Sequence, residues 1–239
     1  RNRPFTINHV SYPQPSVDID YKVSKDSAEE ILIQIMDLDN NLINSYKSRV
    51  KNENIENYNM STNEFTFILN SNISNKKGIN RFKWDMRHRG SWNKNSRLLY
   101  RNGPLVKPGK YKVILTIDGK LFTENFEIIS DPRIEDINGE IYEEQERILL
   151  EIRDFMTDVR FFENKVSKML EKKPKNKNLI SIDRKLNTKE GTYMQPMLID
   201  QIRYLQSMLS RADQKPGKDA YNRLKELKSE FNVLKEKLG

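Results

Sequence analysis

Two histidines, His9 and His88, are the side chains of this 239-residue chain best suited to moving a proton or holding a metal near neutral pH. Neither has a second ligand at helical or strand spacing, so no metal site is expected. Carboxylates occur in pairs at Asp18/Asp20, Asp37/Asp39 and Glu143/Glu144, the residue type that serves as acid and base in glycoside hydrolysis. Asp18 and Asp20 fall opposite Ile19 and Tyr21 in an alternating run, which makes them solvated strand positions. Asp37-Leu-Asp39-Asn-Asn41 has the flavour of a calcium loop, but the glycine and distal Glu of an EF-hand are missing, and a hairpin turn accounts for it. The absence of Cys excludes disulfides, thiolate metal sites and thiol nucleophiles. No Gly-x-Ser-x-Gly elbow, phosphate loop or dinucleotide fingerprint occurs, so the chain is expected to be non-catalytic and to need no cofactor.

Charge is the sharper local feature. The chain carries a formal net charge of +8. Between Lys76 and Lys112 stand twelve Lys or Arg against the single acid Asp85, interleaved with Trp84, Trp92 and Tyr100. Such a mixture suits an acidic glycan or an acidic protein surface. Lys76, Lys77, Arg81, Lys83, Arg87, Arg89, Lys94, Arg97 and Arg101 form the candidate patch for an anionic partner. Strand alternation puts Arg81 and Lys83 on a solvent face beside Arg87 and Arg89. Nucleic acid is not expected, because no recognised binding module is present.

The elements that must position these residues change character near the middle of the chain, and the length suits two domains with separate cores. After an extended lead-in over 1–16, Val17, Ile19, Tyr21 and Val23 alternate with polar residues, as do Ile31, Ile33 and Ile35. Asp39-Asn40-Asn41 turns the chain into a returning strand over Leu42 to Tyr46. Phe65 to Leu69 reads as a shorter strand, and Ile79 to Trp84 places Asn80, Phe82 and Trp84 on one face. Tyr111, Val113, Leu115 and Ile117 run up to Asp118-Gly119, a type I′ hairpin signal, after which Phe122, Phe126 and Ile128 return. These make about seven strands in roughly 130 residues, the rhythm of an immunoglobulin-like antiparallel sandwich over 1–131. Of the two long connections, 49–64 is polar, whereas 87–109 carries Trp92, Leu98, Leu99 and Tyr100, enough apolar surface to pack.

From 132 to 239 the period becomes helical. Ile148, Ile152, Phe155, Val159, Phe162, Val166 and Met169 step by four and three, predicting a long helix over about 139–173 that Asn138 caps and Pro174 ends. A linker with a minor helix fills 174–191. Helices follow over about 196–211, with Pro196 in the first turn, and about 216–238, each with its own apolar stripe. Three matching stripes with short connections predict an antiparallel helical bundle within one chain.

Four segments together carry a resemblance: Gly78-Ile-Asn-Arg-Phe-Lys-Trp-Asp-Met-Arg87, Gly103-Pro-Leu-Val-Lys-Pro-Gly-Lys-Tyr111, Asp118-Gly119-Lys120 and Asp131-Pro132-Arg133. With Tyr193-Met-Gln-Pro-Met-Leu-Ile-Asp-Gln-Ile202 and Ala212-Asp-Gln-Lys-Pro-Gly217, they resemble the C-terminal region of bacterial sortilin-like, glycosyl-hydrolase-like BNR-repeat β-propeller proteins, frequent in Bacteroidetes. Arg87-His88-Arg89-Gly90 stands where that family often has a Tyr and a Pro. The resemblance implies an exported protein of the cell envelope, at the outer-membrane surface or in the periplasm. It further implies a module that supports an N-terminal β-propeller of the same polypeptide or docks it to another envelope protein or an anionic glycan. An accessory region of a secreted glycoside hydrolase whose catalytic domain lies elsewhere is the alternative. No run of about 18 apolar residues would span a bilayer. The opening at Arg1 without Met, and without the apolar core of a signal peptide, is expected of part of a longer chain.

Overall fold

The structure is a computed structural model that describes residues 15–25, 30–48, 73–95, 102–134 and 137–238. Among the described residues six strands precede four helices. They are β1 (Val17–Val23), β2 (Leu32–Asp37), β3 (Leu42–Lys47), β4 (Gly78–Trp84), β5 (Gly109–Ile117) and β6 (Lys120–Ile128), then α1 (Gly139–Lys172), α2 (Lys177–Leu186), α3 (Leu198–Leu209) and α4 (Lys218–Leu238). The fold is therefore a mixture of antiparallel sheet and helix. The expected strand over Phe65–Leu69 lies outside the described residues.

The strands form two antiparallel sheets, β1-β4 and β3-β2-β5-β6. β2 is paired on both sides, and its neighbourhood is accordingly apolar: Ile31, Ile33 and Ile35 are fully buried. Alternation holds in β1 and β4, where Tyr21, Val23, Phe82 and Trp84 are buried between exposed Asp20, Lys22, Arg81 and Lys83. These residues share one apolar cluster with Ile33, Ile35, Tyr111 and Val113 of the other sheet. Trp84 is its anchor, edge-on to Tyr111 and Phe126 at 6.3 and 5.9 Å, with its indole N–H donating to the Arg87 carbonyl at 3.2 Å. Asp118 (φ 49°) and Gly119 (φ 73°) both take the positive φ that a type I′ turn demands. Phe126 and Ile128 pack on the cluster, but Phe122, near the hairpin tip, is 53% exposed.

A second, separate cluster is built by all four helices. α1 contributes Ile148, Ile152, Phe155, Val159 and Val166, and α3 and α4 contribute Ile202, Leu205, Leu227 and Phe231. The helix ends are satisfied locally. Asn138 accepts from the Ile141 N–H and Asn176 from those of Asn178 and Leu179. α3 starts at Leu198, slightly later than the expected 196. Pro196 lies before the helix rather than in its first turn, because Met197 is extended and its N–H donates to Thr188 Oγ1. The C-terminal end of α3 is closed from another helix: the buried Gln145 side chain of α1 donates to the Leu209 and Ala212 carbonyls at 2.7 and 2.8 Å.

Candidate functional site

All but Asp39 of the paired carboxylates are seen engaged by their own neighbourhood. Register places Asp18 and Asp20 opposite Lys83 and Arg81 across β1 and β4. Arg81 grips Asp20 with two bonds of 2.7 Å and reaches Asp18 at 3.1 Å. That bidentate bond holds the Asp20 carboxyl below its ordinary pKa. Asp37 spends both oxygens on Asn41, accepting from its N–H at 2.7 Å and its side-chain amide at 2.8 Å, so the motif with a calcium flavour closes a turn. Glu143 meets Lys107 at 2.9 Å and Glu144 accepts from the Tyr221 hydroxyl at 2.8 Å. Among the described residues no group of three His, Cys, Asp or Glu is arranged to hold a metal.

The cations of the candidate patch separate into different settings. Arg81 and Lys83 do share the solvent face of β4, but Arg81 is already committed to Asp20. Lys76 and Lys77 are exposed just ahead of that strand. Arg87 donates to the Gly103 carbonyl at 2.9 Å and lies 4.0 Å from Asp85. The Arg89 backbone N–H donates to the Ile43 carbonyl at 3.2 Å, along the edge of β3. Lys94 leaves the sheets altogether and meets Glu163 of α1 at 2.7 Å. Arg97 and Arg101 lie outside the described residues.

What the connection from β4 to β5 does instead is build a polar seam against α1. Its two legs pair through His88 N–H to the Pro104 carbonyl and Val106 N–H to the Met86 carbonyl, both 2.9 Å. Gly103 permits this approach: a Cβ there would come within 2.0 Å of the His88 carbonyl oxygen. The buried His88 then shares a hydrogen bond of 2.7 Å with Glu146, whose same oxygen accepts from the Lys107 N–H at 3.1 Å. Farther along α1, the Trp92 N–H donates to Thr157 Oγ1 at 3.1 Å. Arg160 Nη1 donates to the Trp92 carbonyl at 2.9 Å and the Ser91 hydroxyl at 3.2 Å, and the Trp92 ring stacks on Phe161 at 4.5 Å.

No family model, curated protein or solved structure matches this chain.

The seam uses α1 positions 143, 146, 157, 160, 161 and 163, beside rather than on the apolar stripe, and spans 21 residues, about 30 Å of helix. Sequence reasoning noticed that the connection could pack, through Trp92, but found none of its α1 partners. A buried Glu163 or half-buried Thr157 looks like any polar helix residue until something is set against it. The one available signal was periodic: Glu143, Glu146, Thr157 and Arg160 are related by steps of three and eleven, which return to the same side of a helix.

Proposed function

We propose that this chain is a non-catalytic structural and interaction module: an immunoglobulin-like β-sandwich clamped to an antiparallel helical bundle, within a larger exported cell-envelope protein. The observation that carries this is the seam, in which the polar side chains most suited to chemistry are spent on holding the β half to α1. His88, Glu143, Glu146, Thr157, Arg160 and Glu163 all bond to the partner half. A part so braced transmits orientation from one end to the other, which is what a support for a neighbouring domain has to do.

The sandwich reading is supported by the sheets' shared cluster and by strand order, since the chain passes between sheets from β1 to β2, from β3 to β4 and from β4 to β5. The bundle reading is supported by one cluster common to all four helices. Residues of the segments that resemble the propeller-associated family, among them Trp84, Gly103 and Lys107, build the sandwich core and the seam. A β-propeller of the same polypeptide is accordingly the proposed neighbour. Among the described residues no helix is long and apolar enough to cross a membrane.

The test is affinity purification of the full-length protein from its native envelope, with mass spectrometry of the intact chain and of what co-purifies. A longer polypeptide with stable envelope partners is the expected result. A solitary secreted chain that cleaves a glycan would overturn the proposal in favour of an accessory region of a hydrolase.

A further inference from the structure

Beside the seam, where residues 93–94 meet α1 and the start of α3, lies a polar cleft of about 270 Å³. Five charged side chains line it: Lys94, Arg160, Glu163, Asp200 and Arg203. Two ion pairs account for four of them, Lys94 with Glu163 at 2.7 Å and Arg203 with Asp200 at 3.0 Å. The fifth is Arg160, whose guanidinium has no carboxylate within ion-pair distance among the described residues. Its two hydrogen bonds, to Ser91 and to the Trp92 carbonyl, both leave from Nη1. Nε and Nη2 form the remaining part of the fork, the part that suits two oxygens of one anion.

We propose that this cleft is an oxyanion-binding site, with Arg160 as the principal ligand and Arg203 and Lys94 completing the cationic wall. The charge balance favours it: three cations face the two carboxylates of Glu163 and Asp200, which are already paired with Lys94 and Arg203, and one phosphate or carboxylate group opposite Arg160 would balance the excess. Burial first, and the neighbouring Arg203 second, push the Arg160 guanidinium below its ordinary pKa, while the Glu163 carboxylate pulls the other way. The volume lies just below the range of sites for drug-sized ligands, which suits a small ion or the charged end of a larger molecule. The N-terminal end of α3 borders the cleft at Ile199, and the Asp200 carboxylate of its first turn, whose charge opposes an anion, is paired with Arg203. None of this depends on the proposed envelope role, and the site would stand if that role fell.

The experiment is an NMR titration of the intact chain with inorganic phosphate and, separately, with acetate, at an ionic strength held constant by sodium chloride. Saturable shifts confined to residues around Arg160 and Arg203 are expected, with affinity for the bound anion falling at least tenfold in Arg160→Gln. Phosphate binding alone assigns a phosphate ester as the source, and acetate binding a carboxylate. Arg160 also anchors Trp92, so Arg203→Gln, at a residue 53% exposed, provides a variant that leaves the seam intact and should weaken binding severalfold. Linear, unsaturable shifts with both anions would overturn the proposal, and so would an unchanged affinity in Arg203→Gln together with Arg160→Gln.

Discussion

The two sides of α1 hold their neighbours by different physics. One side puts Ile148, Ile152, Phe155 and Val159 into the cluster of the four helices, where every apolar contact contributes and none has a required direction. The other side meets the β half through Glu146, Thr157 and Arg160, each of which works at one angle and one distance. The first kind of contact tolerates a change of shape that conserves volume; the second tolerates size changes poorly and chemical changes hardly at all. A helix loaded in both ways ties the two apolar cores together although they have no residue in common.

Substitutions can be ranked by how hard they strain that contrast. The largest loss is expected in the β half, where Trp84 is completely buried. Trp84→Ala should cost roughly 3–5 kcal/mol, read by denaturant unfolding, and unchanged unfolding would mean that Trp84 is not the anchor. In the helical core, Leu227→Ala should cost about 2–5 kcal/mol while Leu227→Met costs under about 1.5 kcal/mol, a spread that checks whether volume alone governs that side.

The seam should respond less in energy but more specifically. Glu146→Ala strands the buried His88 ring and the Lys107 N–H together, at about 1–3 kcal/mol, and should speed hydrogen exchange at the Lys107 amide while leaving α3 and α4 amides protected. Exchange that rises equally in all helices would show the seam to be part of one cooperative core. Thr157→Val keeps the volume and removes the acceptor for the Trp92 N–H together with the hydroxyl's own bond to the Arg153 carbonyl, for roughly 0.5–1.5 kcal/mol.

The smallest effect concerns the connection between the halves. Arg133 donates to both oxygens of Asp131 with its side chain and to one with its backbone N–H, which lowers the carboxyl pKa from 3.8 to about 2. A depressed pKa contributes stability that is present above the unfolded value and is lost as pH falls through the folded one, so this contact should weaken only between about pH 4 and pH 2. Arg133→Ala should return the Asp131 carboxyl most of the way to 3.8 in an NMR titration, and an unmoved value would discard the interaction.

Elements with one dominant period were legible in the residues themselves. Alternation in β1 and β4, the Asp118-Gly119 turn, and the four-and-three stripe that became α1 each follow from burying one side of a regular backbone. So does the Asn138 cap, because the acceptor and the N–H it satisfies are three residues apart. Phe122 was harder: it sits in a strand of the right period, yet the period does not say that its end of β6 is exposed.

The candidate site was the least legible part. The basic run was visible, but Arg81 proved to be committed to Asp20 and Lys94 to Glu163, 69 residues away in α1. By itself, the sequence determined what depends on neighbours along the chain: a β half followed by a helical half, the main turns, the Asn138 cap and the apolar sides of the elements. Tertiary structure alone decided which polar groups meet. Local periodicity is set by backbone geometry within a few residues, whereas a hydrogen bond such as His88 to Glu146 exists only after two surfaces 58 residues apart in the chain have been brought together.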